Sequence, residues 1–128
     1  MHMKEKVIEI LGAFLKRNEG YVVYAYLKNL AGKILVNYSM HELNVEENDE
    51  YLKIVWYEEL HSDYIAIYYP DVVKCYEEID EFGQRSIHIL FLNGLQLEFE
   101  CCGECVEKWF LGSKIEITEG GMNYFYSR

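Results

Sequence analysis

The sequence predicts one α+β domain, with an N-terminal helix packed on a twisted antiparallel sheet of about six to eight strands and a short helix near the C-terminus. Three observations predict it. Residues 4–17 place apolar side chains at helical spacing. From Tyr21 to Cys102 the chain is a succession of short runs rich in Tyr, Val, Ile and Phe, separated by turn residues. Within them, S-I-H-I-L-F-L and L-Q-L-E-F-E-C-C flank Asn93-Gly94, the residue pair that tolerates positive φ in a two-residue hairpin.

In the first element, Val7, Ile8, Ile10, Leu11, Phe14 and Leu15 fall on one arc, with Glu5, Glu9 and Lys16 opposite. Gly20 stands just beyond as a stop. Residues 21–27 and 33–39 read as a second hairpin, turning through Asn29-Leu30-Ala31-Gly32. Residues 40–50 read as a loop with an acidic centre, N-V-E-E-N-D-E. Residues 51–57 read as a strand, 58–63 as a polar connection and 64–69 as a further strand. Pro70, the one proline, marks a break or an edge, and residues 71–79 form another strand. Residues 80–85, with Gly83, turn the chain into the Asn93-Gly94 hairpin.

A type I′ turn at Asn93-Gly94 sets a register. Leu90 faces Leu97, His88 faces Phe99 and Ser86 faces Cys101, all on one apolar face. The other face is apolar on the first strand, with Ile87, Ile89 and Phe91, and polar on the second, with Gln96, Glu98 and Glu100, of which Glu98 and Glu100 read as solvated. The first strand is expected deeper in the sheet and the second nearer solvent. After Cys102, residues 104–111 (E-C-V-E-K-W-F-L) suit a short helix, and 114–118 alternate as a last strand. Residues 119–128 read as a tail of a single domain spanning 1–128.

Hydrophobic residues make up 51% of the chain and aromatics 16%, which excludes a disordered polymer. No apolar run is long enough for a membrane span, and the first ten residues lack the pattern of a secretory signal. The expected location is cytoplasmic. Residues 1–40 hold six Lys/Arg against three Asp/Glu, a balance of +3. Residues 41–128 hold six against nineteen, a balance of −13. Such a field repels nucleic acid and anionic membrane and attracts basic protein surfaces.

Catalytic and metal motifs are sparse. Cys102-Gly103-Glu104-Cys105 is a CxxC following Cys101, but no second CxxC or H-x-x-x-H completes a zinc set. The register places Cys75 beside Leu90, a neighbour of His88 yet out of reach of Cys101. His88 reads as a core or boundary histidine. No phosphate-binding glycine loop, nucleophile elbow or zincin motif is present. The expectation is no cofactor, no metal and no catalytic residue.

What remains is tyrosine set among acid. The chain has twelve Tyr. Tyr51 follows Glu46, Glu47, Asp49 and Glu50, while Trp56 and Tyr57 precede Glu58, Glu59 and Asp63. Tyr and Trp supply rigid contact area, and carboxylates around them steer a basic partner. These ten residues are the expected partner-binding set. The leading expectation is a non-enzymatic, acidic inhibitor of a basic, nucleic-acid-binding protein. Phage anti-defence proteins of the anti-CRISPR kind share this compositional profile, as do immunity proteins of toxin nucleases. A small-molecule or nucleotide-binding domain, enzyme or sponge, with a pocket holding His88 and Cys75 is the second expectation. A homo-oligomer built through tyrosine faces is the third.

Overall fold

The computed structural model describes residues 3–57, 62–101, 116–118 and 121–123. Helix α1 covers residues 3–17 and has three parts. Met3–Val7 and Ala13–Arg17 are α-helical, and Ile8–Gly12 between them is π-helical. Its buried side is Val7, Leu11, Phe14 and Leu15, with Ile8 and Ile10 partly buried beside them. These are the six residues of the predicted apolar arc. The Asn18 side-chain amide donates to the Phe14 carbonyl at 2.9 Å, closing the last turn, and Gly20 leaves it at φ +87°.

Eight strands form two antiparallel sheets. The larger has five: β1 (Val23–Lys28), β2 (Ile34–Met40), β6 (Val72–Ile79), β7 (Arg85–Phe91) and β8 (Gln96–Glu100), in the order β2-β1-β8-β7-β6. The smaller has three: β3 (Asn44–Glu47), β4 (Tyr51–Tyr57) and β5 (Ser62–Tyr68), in the order β3-β4-β5. A 3₁₀ turn at Tyr69–Asp71, holding Pro70, carries the chain from the small sheet to the large one. Farther along, β9 (Glu116–Thr118) pairs with β10 (Gly121–Asn123), so part of the expected tail lies in a strand pair. The helix expected at 104–111 lies outside the described residues.

One buried cluster joins all layers. The helix contributes Phe14 and Leu11, the large sheet Ala25, Met40, Ile87, Ile89 and Phe99, and the small sheet Leu52, Ile54, Trp56 and Ile67. The two sheets meet where Tyr38 of β2 packs edge to face on Trp56 of β4, ring centroids 5.3 Å apart. The helix lies against β6 and the 3₁₀ turn, and Arg17 at its end reaches Glu77 of β6 at 3.1 Å.

The three hairpins of the large sheet share one turn. Each loop has three residues with glycine third: Gly32, Gly83 and Gly94, at φ +86°, +82° and +89°. In each, the glycine N–H donates to the carbonyl three residues back, on Asn29, Asp80 and Phe91. A type I turn followed by a left-handed glycine has this pattern. The type I′ reading of Asn93-Gly94 is therefore corrected, since Asn93 does not take positive φ. The loop has one more residue, and the register moves by one. Ile87 faces Phe99, Ile89 faces Leu97 and His88 faces Glu98. A one-residue slip sends alternate side chains to the other face, so Ile87 and Ile89 are core, and His88 is on the outer face.

Three further expectations are corrected. β8 is the central strand of the five, not the outer strand of its pair. Its Glu98 and Glu100 are not a solvated pair, because Lys28 Nζ donates to Glu98 at 2.5 Å and Tyr26 Oη donates to Glu100 at 2.9 Å. The acidic run expected as a loop contains β3, held to β4 with Glu46 opposite Lys53 and Glu47 opposite Leu52.

Candidate protein-binding face

β4 alternates strictly. Leu52, Ile54 and Trp56 are fully buried, and Tyr51, Lys53, Val55 and Tyr57 point the other way. The register with β5 places Tyr68 beside Tyr51 and Tyr64 beside Val55. β3 adds Asn44 and Glu46 to the same side. The small sheet therefore turns an aromatic outer face to solvent, with Tyr57, Tyr64 and Tyr68 49%, 61% and 47% exposed. Three of these tyrosine rings are engaged. Tyr51 and Tyr68 meet edge to face at 5.4 Å, and Lys53 Nζ lies 4.6 Å from the Tyr64 ring centroid.

The acid lies at the ends. Asn48 shapes the β3–β4 turn, its Oδ1 accepting from the N–H groups of Glu50 at 2.8 Å and Tyr51 at 2.9 Å. Glu50 is exposed in that turn. Asp49 is turned toward the helix, where Lys4 Nζ donates to it at 2.6 Å. That hydrogen bond and the lysine charge lower the Asp49 carboxyl pKa, and the same hydrogen bond with the carboxylate charge raises that of Lys4.

The structure thus divides the ten residues read from the sequence. Glu46, Tyr51 and Tyr57 share the outer face, with Glu50 at its edge and Asp49 engaged by Lys4. Glu47 and Asp63 are in register with buried Leu52 and Trp56, on the opposite side of the sheet. Trp56 is core, so it is removed from the contact set. Glu58 and Glu59 lie outside the described residues. Sequence reasoning missed Tyr64, Tyr68 and Lys53. Their signal was the alternation of β5, whose phase against β4 is set by the connection between them.

The second constellation, His88 with Cys75, comes apart. Cys75 is buried in the core, where the thiol is pushed up to about 11 by burial, with Lys6 opposing the shift. His88 stacks on Tyr76 at 5.0 Å on the outer face, where it is nevertheless buried. The Gln96 amide faces His88 Nδ1 at 3.0 Å. Ser86 Oγ and Glu78 Oε1 both lie 3.0 Å from Nε2. Ser86 and Glu78 thus meet the same ring nitrogen, whereas a nucleophilic triad sets the hydroxyl and the carboxylate on opposite nitrogens, so the trio lacks triad geometry. Elsewhere in the core, burial and the nearby Glu47 and Asp49 charges raise the Tyr69 phenol pKa.

No group of three metal-ligating side chains is found among the described residues, and Cys102 and Cys105 lie outside them. No helix among the described residues is long and apolar enough to cross a membrane. Together these features define a mostly antiparallel α+β protein with an aromatic sheet face. No family model and no curated protein matches the chain. Among solved structures it is similar to the Bacillus subtilis YojF protein, at 14% identity and a TM-score of 0.42, with 76% of this chain and 90% of that chain covered.

Proposed function

We propose that this protein binds a basic protein surface through the outer face of β3-β4-β5 and inhibits its partner by covering that surface. One observation carries the reading. Four tyrosines, Tyr51, Tyr57, Tyr64 and Tyr68, share the open side of a sheet whose β4 is core on its other side, Tyr51 packed on Tyr68, with Glu46 and Glu50 at the margin. Aromatic centres inside a polar rim are the usual form of energetic hot spots. The charge of −13 over residues 41–128 supplies the attraction. Exposed ion pairs contribute only ~0–1 kcal/mol each, so the tyrosines must hold the complex and the acid must speed its formation. A partner that normally binds nucleic acid fits best, because its groove already receives negative charge. The reading is non-enzymatic and cytoplasmic, in the compartment where free thiols such as Cys75 and Cys101 stay reduced.

The test uses basic nucleic-acid-binding proteins of the native host, purified and presented singly. Reversing Glu46 and Glu50 to lysine should slow association and flatten its salt dependence. Replacing Tyr57 and Tyr64 with serine should speed dissociation instead. An unchanged association rate across salt in the charge-reversed protein would sink the proposal.

A further inference from the structure

β3 has a second open side. Among the described residues it pairs only with β4, so its other edge is unpaired. On the inner side, Val45 stands opposite Ile54 and Glu47 opposite Leu52, and both β4 partners are fully buried. Val45 is nevertheless 37% exposed, and Glu47 is exposed as well. The layer that is core under β4 is open under β3.

That opening is a groove of about 660 Å³ between helix α1 and β3, well within the size range of ligand sites. Ile8, Leu15, Leu43 and Val45 line it, and Gly12 leaves room in its wall. A Cβ built on Gly12 would meet only Ile8 Cγ2, at 3.9 Å. The π-helical segment Ile8–Gly12 forms this stretch of wall, and such segments recur at functional sites. The charge is one-sided: Glu19, Glu42 and Glu47 line the groove against Lys16. Glu42 is also the one non-glycine residue at positive φ, +55°, among the described residues.

We infer that the groove receives an extended basic peptide segment, which adds as a strand to the free edge of β3. Main-chain hydrogen bonds to β3 would supply affinity. Alternate side chains of the segment would enter the groove, apolar ones against Val45 and Ile8, basic ones against Glu47 and Glu19. This site is on the opposite side of β3 from the tyrosine face and stands or falls without it.

The probe, the Lys–Val peptide, is acetylated Val-Thr-Lys-Thr-Val-Thr-Lys-Thr, whose alternate residues place Val and Lys in turn on one strand face; it is compared with the Glu–Val peptide, in which Glu replaces Lys, and with a Lys–Val peptide N-methylated at every second residue. The Lys–Val peptide should bind and slow hydrogen exchange of β3 amides, and each control should bind about tenfold more weakly or worse. Gly12→Leu fills the groove while replacing a poor helix former with a good one. It should keep the fold, lose the peptide and leave the tyrosine face unaltered. Should Gly12→Leu not fold, Glu47→Lys on the exposed strand should reverse the preference between the Lys–Val and Glu–Val peptides. Equal binding of the two peptides, undiminished binding to the N-methylated peptide or to folded Gly12→Leu, an unreversed preference in Glu47→Lys, or no binding at about 1 mM overturns the inference.

Discussion

The Lys53 ammonium lies 4.6 Å from the centre of the Tyr64 ring, between neighbouring strands of the small sheet. The face therefore already holds a cation on an aromatic ring. An exposed pair of this kind contributes about 0.5–1 kcal/mol, so Lys53→Met should lower stability by about that much in equilibrium denaturation. Lys53→Glu removes the positive charge between Glu46 and Tyr64. It should speed association with a basic partner at low salt and leave the fold intact. A slower association would place the partner's charge elsewhere.

Gly94 tests the hairpin. At φ +89° it holds a left-handed position, and a Cβ there would approach Leu30 Cδ1 at 3.6 Å. Gly94→Val should cost ~1 kcal/mol or more from the backbone alone. Asn93 discriminates between the two turn types. Here it takes negative φ and its Oδ1 accepts only the exposed Leu95 N–H, at 3.0 Å. Asn93→Ala should then cost about 0.5–1 kcal/mol. In a type I′ turn the same change would add the left-handed penalty of about 1–2 kcal/mol. Chemical denaturation of the two variants separates these cases.

The same turn shows what was legible in the sequence. The helix arc and the hairpin runs were readable because burial imposes periods of 3.6 and 2 on residues such as Val7, Leu11, Phe14, Leu52 and Ile54. Register was not readable from Asn93-Gly94 alone, since both turn types accept that pair. The signal lay in the other hairpins, where Gly32 and Gly83 also stand third in their loops. β3 stayed hidden because an exposed edge strand of N-V-E-E carries no apolar alternation. Of the interface set, Trp56 could have been placed by parity, since Leu52, Ile54 and Trp56 share one side and Lys53 marks the other. Tyr64 and Tyr68 could not, because their phase depends on the connection before Ser62.

Trp56 and Tyr57 are adjacent in sequence and opposite in consequence. Trp56 is fully buried against Tyr38, and Tyr57 is half exposed. Trp56→Ala should cost about 3–5 kcal/mol, the usual loss for a large core aromatic. Tyr57→Ser should fall within about 0.5 kcal/mol of the parent, as surface changes do. Thermal unfolding checks both. A large loss in Tyr57→Ser would mean that the outer face is covered in the folded protein.

Cys75 makes stability depend on pH at the alkaline end. Burial pushes its thiol up to about 11, whereas the unfolded chain would ionise near the ordinary value of 9.0. Between those values the unfolded state has released its proton and the folded state has kept it. Fewer protons on the unfolded state means that stability falls as pH rises. The contribution is full below pH about 9 and is lost up to about 11, amounting to roughly 2–3 kcal/mol. Other groups titrate in the same window, among them the Tyr69 phenol, raised by burial, so the comparison must isolate the thiol. Cys75→Ala does so: its stability deficit against the parent, measured by denaturant unfolding, should be largest near pH 8 and shrink toward pH 11. The same burial predicts that a thiol reagent at pH 8 modifies Cys75 at the rate of unfolding, much more slowly than half-buried Cys101. A deficit that stays constant across the window would show that the Cys75 thiol ionises alike in both states.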